Sequence, residues 1–161
     1  EGAACAAHGI YVLGGTQQSD TNSFIHHNKP HTESSQLYKG IMNDKSHGIF
    51  TGLIRVEKDA QLINSDQLNK NLLLRKGAHA HSRPQLEIYA DDVKCAHGST
   101  TGQMSDEEVF YFESRGVPKQ RAQRLLAQAF AYDVTLKIKN KTARDFSKNI
   151  LEKNFKNLEV E

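Results

Sequence analysis

The sequence predicts a β-rich body built as a solenoid of stacked coils, followed by an α-helical region. Turn formers such as Gly14-Gly15 and Asn43-Asp44 separate many short apolar or β-branched runs in the N-terminal part. The chain also divides into stretches of about 25–35 residues that begin near Gly9, Glu33 and Asn64, a period typical of stacked coils. A β-sandwich accounts for the same strands, so that alternative stays open.

The predicted strands are short, and turn formers bound them. They cover the runs Ile10 to Leu13, Ser23 to Ile25, Gln36 to Met42, Ile49 to Val56, Leu72 to Leu74 and Leu86 to Ala90. Gly40, Gly48 and Gly52 lie inside or beside these runs, where we expect tight corners. Short strands with internal glycines favour the solenoid over the sandwich.

The pattern changes from strand to helix at Met104. Ser105 and Glu108 have the spacing of a capping box, which predicts a helix beginning after Ser105. Gly116 predicts its end, and Pro118 suits the first turn of a second helix. One amphipathic helix pattern follows, made up of Ala122, Leu125, Leu126, Ala129 and Phe130. After a break around Tyr132 to Asn140, a second pattern is made up of Phe146, Ile150, Leu151, Phe155 and Leu158. We therefore divide the chain into a β core, residues 1–103, and a helical region, residues 104–161.

Composition limits the classes of function. The 161 residues are 37% hydrophobic, which suits one globular unit. Lys and Arg number 21 against 19 Asp and Glu, and we interpret the basic residues near the C-terminus as a solvated helix face, with no nucleic-acid partner.

Cys5 and Cys95 alone make no disulfide framework, so we expect a reducing, cytoplasmic location. No run approaches the roughly 20 apolar residues of a membrane span. Because the chain opens at Glu1 without a methionine, we interpret it as part of a longer protein.

Cys95 and His97 are the first candidates for chemistry. If Val93 to His97 is a strand, the two side chains face the same way, with Cα atoms about 7 Å apart. Thiolate and imidazole both suit iron or zinc, but a catalytic zinc site takes three protein ligands and a structural one four. A neighbouring coil or another chain must therefore supply the rest. The alternative is a buried cysteine beside a histidine that bonds to backbone.

Other polar groups give weaker support to alternative functions. Asp91-Asp92 with His97-Gly98 resembles motifs of pectin-degrading β-helix hydrolases, but adjacent strand residues face opposite sides unless they lie in a turn, so we rank a carbohydrate-active enzyme last. No Gly-rich run ends in Gly-Lys-Ser or Gly-Lys-Thr, so we expect no ATP hydrolysis by this chain alone. The remaining histidines are interpreted as solvated or hydrogen-bonded surface groups.

Three stretches form one recognisable set, namely Asn71 to Leu74, Pro84 to Gly98 and Glu107 to Gly116, supported upstream by Tyr11 to Gly15 and Gln36 to Gly40. Together they resemble the SufB/SufD family of iron–sulfur cluster assembly proteins. Where SufB-type chains tend to carry Glu-His-Glu, this chain reads Cys95-Ala96-His97, so it is similar to the SufD type and to its C-terminal part. SufD-type chains commonly continue with Gly-Ala-Thr, and here the run is Gly98-Ser99-Thr100.

The resemblance implies a fold and a role. It implies a right-handed parallel β-helix followed by α-helices, and a non-catalytic scaffold that pairs with SufB and carries the SufC ATPase. Nascent clusters would be built at the SufB–SufD interface, with His97, and secondarily Cys95, contributing to a site shared with the partner. No cofactor would be held permanently, only iron or a cluster in transit.

The resemblance also places the SufC contact on the helical region, residues 106–131. The surface residues expected there are Glu108, Phe110, Tyr111, Phe112 and Arg115. The alternative role is a structural or regulatory brace that binds SufB and SufC without contacting iron. Open sheet edges would also allow the isolated chain to form a homodimer.

Overall fold

The computed structural model describes residues 1–157, with side chains through Phe155. Seven strands come first, followed by three helices. The strands are β1 (Ala4–Leu13), β2 (Gln18–His27), β3 (Glu33–Met42), β4 (His47–Val56), β5 (Ile63–Leu73), β6 (His79–Ile88) and β7 (Val93–Gln103). The helices are α1 (Asp106–Glu113), α2 (Lys119–Thr135) and α3 (Lys141–Asn157). The predicted Leu158 lies outside the described residues.

The strands wind into a parallel β-solenoid of about three turns. Odd strands form one sheet in the order β1-β3-β5-β7, and even strands form a second in the order β2-β4-β6. Ala4, Glu33, Asn64 and Lys94 are successive register partners in the first sheet. The predicted coil starts at Glu33 and Asn64 match this register, whereas the first coil begins at Ala4 rather than near Gly9. The predicted β-helix with a helical region is confirmed.

The strands are longer than predicted, since each has 10 or 11 residues. The sequence patterns underestimate the strands because much of the inward-facing surface of the first sheet is polar, which is unusual for a buried strand face. Ser34 and Gln36 on β3, and Ser65 and Gln67 on β5, are all buried. Each pairs with its register partner, Ser65 with Ser34 at 2.6 Å between the hydroxyl oxygens and Gln67 with Gln36 at 2.8 Å. These bonds pair one polar atom of each side chain, which would otherwise destabilise the interior.

Gly40 and Gly52 make close approaches inside strands, and not the tight corners that we expected. A Cβ on Gly40 would lie 2.2 Å from the Tyr11 ring, and one on Gly52 would lie 2.3 Å from Nε2 of Gln67. Side chains from other strands therefore cross the interior over these glycines. The left-handed corners are instead at other positions, for example Gly15 (φ 59°) and Asp44 (φ 55°).

Helix α1 begins and ends as the sequence predicts. Ser105 is its N-cap, and its hydroxyl accepts a hydrogen bond from the backbone N–H of Glu108 at 3.3 Å. Beyond its end, Gly116 has φ 80° and donates its N–H to the carbonyl of Glu113, while Val117 donates to Phe112. This pair of bonds around a left-handed glycine is a Schellman motif.

Helices α2 and α3 cover the outer face of the first sheet. Ala127 and Ala131 of α2 join Leu151 and Phe155 of α3 in one buried cluster over Ile41.

The face of α2 that packs on the sheet is rotated from the predicted face, because the small alanines allow the helix to lie close to the sheet. Leu125 and Ala129, which we expected on the apolar face, are exposed, as are Phe146 and Ile150 on α3. Helix α2 also extends to Thr135, so the break between the two helices is shorter than predicted.

An ion pair between a buried lysine and an exposed aspartate joins α2 to the sheet. Lys39 points outward from β3, and its side chain is only 6% exposed. Its ammonium donates to Oδ2 of Asp133 at 2.7 Å and to the carbonyl of Phe130 at 3.1 Å. The ammonium holds the pKa of Asp133 below its usual value. The helical region thus packs directly on the solenoid, and the division at residue 103 into two domains stays a prediction.

None of the helices within residues 1–157 has the length and apolar character needed to cross a membrane.

Candidate functional site

The candidate site lies on β7, the last strand of the first sheet. Among the described strands, β7 pairs only with β5, so its other edge is open. Cys95 is the register partner of Ser65, and His97 is the register partner of Gln67. Both partners are buried inside the solenoid. Cys95 and His97 therefore share the inward-facing row of β7, as the strand argument predicted.

The side chain of Cys95 is half-buried in apolar surroundings. It packs against the cluster formed by Ile54, Val56, Ala60, Ile63 and Ala90. This burial raises the pKa of the thiol above its ordinary value. Because only the thiolate binds metal well, the surroundings disfavour Cys95 as a ligand until a metal ion itself displaces the proton. Cys95 is therefore the weaker of the two candidates.

The imidazole of His97 is exposed at the same end of the solenoid. Its position at the open edge makes it accessible to a second chain. Within residues 1–157, no three His, Cys, Asp or Glu side chains converge to hold a metal ion. The geometry thus offers two potential ligands on one row at an open edge, which is fewer than a metal site in a single chain requires.

Helix α1 forms an exposed aromatic surface. Phe110 is 68% exposed and Tyr111 is 56% exposed, although large apolar side chains usually lie inside. The Arg115 guanidinium lies 3.6 Å from the centre of the Tyr111 ring and donates to the Tyr111 carbonyl at 3.2 Å. Phe112 is half-buried, and its ring meets that of Tyr111 edge-on. Glu108 is exposed on the same helix, and Arg115 lies two residues beyond its end, so the five predicted contact residues belong to one short segment.

The other residues that the sequence offers as candidates for chemistry differ from expectation in their exposure or in their position in the fold. His27 is buried, and its ring is hydrogen-bonded to Thr32 and Ser34, while burial lowers its pKa. It is therefore an interior histidine rather than the surface group that we expected. Asp91 and Asp92 are both exposed in the turn before β7. The strand argument against a shared carboxylate site therefore does not apply to them.

Sequence reasoning missed the row of glutamines that leads to His97. Gln36 and Gln67 are 0% and 1% exposed, and His97 follows them on the next strand. A polar residue at every second position of Ser34 to Gln36, and again of Ser65 to Asn69, is the signal that would have identified this row. Polar residues at such positions suggest an outer face, which is why Ser34 and the Ser65 to Asn69 run were not predicted as strand.

Comparison with known proteins gives one consistent result. The family described as "SUF system FeS cluster assembly, SufBD core domain" matches residues 1–130. The chain is 47% identical over 116 residues to the iron–sulfur cluster assembly protein SufD of Escherichia coli, covering 72% of this chain and 27% of that protein. It is 44% identical over 125 residues to an iron–sulfur cluster assembly SufBD family protein of Synechocystis, covering 78% and 28%. It is 37% identical over 134 residues to the chloroplastic protein ABCI7 of Arabidopsis thaliana, covering 83% and 28%. The chain spans about a quarter of the length of these relatives.

Proposed function

Since this chain belongs to the SufB/SufD family and is of the SufD type, we propose that it is part of a scaffold on which iron–sulfur clusters are built. The observation that carries the proposal is the incomplete ligand pair, Cys95 and His97, on the open edge of β7. Iron, or the nascent cluster, is the cargo of this site rather than a resident cofactor. A SufB-type partner supplies the remaining ligands.

The chemistry of the two side chains supports a shared site. Imidazole and thiolate both bind iron, and two protein ligands hold a metal ion only weakly by themselves. An ion held in this way can be released again, as building and transferring a cluster requires. His97 is the stronger candidate ligand because it is exposed, whereas burial raises the pKa of the Cys95 thiol.

The same proposal makes the chain non-catalytic. SufC is the partner that hydrolyses ATP, and helix α1 is the surface on which SufC docks. The exposed rings of Phe110 and Tyr111 support this assignment, because exposed aromatic residues next to an arginine are typical of protein interfaces. The cytoplasmic location stays a prediction.

The proposal is tested by leaving this protein out of the assembly reaction. SufB- and SufC-type partners are mixed anaerobically with iron, a sulfur donor and ATP, with or without this protein, and the cluster absorbance is recorded. We expect cluster formation to rise when this protein is present. Equal formation in its absence would contradict a role in building clusters.

The docking surface is tested by Phe110→Asp. Truncation of a central aromatic contact typically costs about 2 kcal/mol or more, so we expect SufC to bind roughly 30-fold more weakly. Isothermal titration measures the affinity, and circular dichroism checks that the variant is folded. Phe146→Asp is the matched control, since Phe146 is 65% exposed on α3. SufC binding that survives Phe110→Asp in a folded protein would show that the surface is misplaced.

A brace that never contacts iron is the second candidate function. It is favoured by one observation, that no three ligands converge within the described part of the chain. In that case SufC docking depends on α1, while substitution of His97 leaves cluster formation unchanged.

A further inference from the structure

We propose that Gln67 is a positioning residue that orients the His97 imidazole for metal binding. This inference rests on the proposed function for its purpose, but the contact itself can be measured separately. Gln67 and His97 are register partners on β5 and β7, and both belong to inward-facing rows. Adjacent strands lie about 4.8 Å apart, so side chains of register partners meet directly.

The amide of Gln67 is held firmly on one side. Its Nε2 donates to Oε1 of Gln36 at 2.8 Å. The amide also packs over Gly52 of β4, where a Cβ would come within 2.3 Å of Nε2. Since Gln36 lies one coil before Gln67, the Nε2 bond directs that side of the amide toward β3. In the proposed arrangement, the other amide atom, Oε1, is directed away from Gln36, toward the coil that contains His97.

Oε1 of Gln67 is a buried acceptor that makes no hydrogen bond with any described residue. Gln67 itself is only 1% exposed. A buried acceptor without a donor destabilises the folded protein, so a donor at this position is strongly favoured. The register partner of Gln67 offers a donor of suitable chemistry, a ring N–H of His97. In the proposed arrangement, the exposed side chain of His97 turns about its own bonds and donates this N–H to Oε1.

The consequence for the imidazole is a fixed tautomer. One ring nitrogen donates its hydrogen to Gln67, and the other is left unprotonated, with its lone pair directed at the open edge of the sheet. Metal-bound histidines usually have such a partner on the second nitrogen, and its loss typically weakens metal binding about 10–100-fold. Gln67 therefore acts on the metal through His97, without touching it.

The test reads the tautomer of His97 directly. Long-range ¹H–¹⁵N correlation spectra of the 161-residue chain are recorded at about pH 8, where histidine side chains are ordinarily neutral. We expect one tautomer in the unaltered protein, a mixture in Gln67→Met, and one tautomer again in Gln67→Glu, which restores an acceptor. Ser65→Ala is the control, because it removes another buried bond from the same strand and leaves Oε1 in place. A spectrum of His97 that is unchanged in Gln67→Met, or changed equally by Ser65→Ala, would overturn the proposal.

Iron affinity of the complex with a SufB-type partner provides the second measurement. Gln67→Met should weaken iron binding about 10–100-fold, with partial rescue by Gln67→Glu. If His97→Ala has no effect on iron, the proposed function fails, whatever the tautomer shows. If His97→Ala abolishes iron binding and Gln67→Met leaves it unchanged, the positioning role alone fails.

Discussion

Replacement of His97 by alanine should reduce cluster formation by the assembled complex more than about 100-fold. The loss of a mere hydrogen-bond partner of a metal ligand already costs about 10–100-fold, and His97→Ala removes the ligand itself. Because the His97 side chain is exposed at a sheet edge, the substitution removes little buried surface, and the fold should persist. Cluster absorbance and iron content after anaerobic reconstitution measure the effect.

Two variants make this result specific to His97. His79→Ala removes an exposed histidine from the outer face of β6 and should leave cluster formation unchanged. Cys95→Ser should have a smaller effect than His97→Ala, because burial raises the pKa of the Cys95 thiol. Undiminished cluster formation in the His97 variant would remove this residue from the site and favour the brace.

Phe50→Ala should destabilise the protein by about 3–5 kcal/mol. Phe50 is fully buried inside the solenoid on β4, and its ring lies 5.0 Å from that of Tyr38, centre to centre. Its removal leaves a cavity between the two sheets, and the neighbouring polar rows cannot collapse into it without breaking their hydrogen bonds. Urea denaturation followed by circular dichroism measures the free energy of unfolding.

The matched control for Phe50→Ala is Phe24→Ala. Phe24 is 60% exposed on the outer face of β2, so its loss should cost below about 1 kcal/mol. An equal loss of stability in the two variants would mean that the interior between the sheets is not the main source of stability.

The fold was largely predictable from the sequence where apolar residues carry it. The apolar run Ile49 to Val56 predicted nearly the whole of β4, and Ser105 with Gly116 predicted both ends of α1. The strand at Ile63–Leu73 was reduced to its last residues, since the buried Ser65, Gln67 and Asn69 have the polarity of a surface. Only the register shows that they hydrogen-bond inside a solenoid.

The face by which α2 packs was not predictable for a different reason. Periodicity favoured Leu125 because it is large and apolar, whereas the structure buries Ala127 and Ala131. Small residues permit close contact between a helix and a sheet, and the sheet's own Lys39 then finds its partner in Asp133. The sequence of the helix alone contains no information about that surface.

The candidate site was predictable in part. The spacing of Cys95 and His97 placed both on one row, and the structure shows the register that this implies. The spacing could not reveal Gln67, which lies 30 residues earlier in the chain and is the register partner of His97 only because successive coils stack. Nor could it reveal that β7 has an open edge at this end.

The proposed function requires that this chain holds one part of an iron site and that a second chain holds the rest. Iron retained after anaerobic gel filtration tests this most directly, with this protein alone, a SufB-type partner alone, and the two together. A shared site predicts that the mixture retains more iron than the two proteins separately, and that His97→Ala abolishes the excess. Iron retained equally by this protein alone, or an excess that survives His97→Ala, would contradict it.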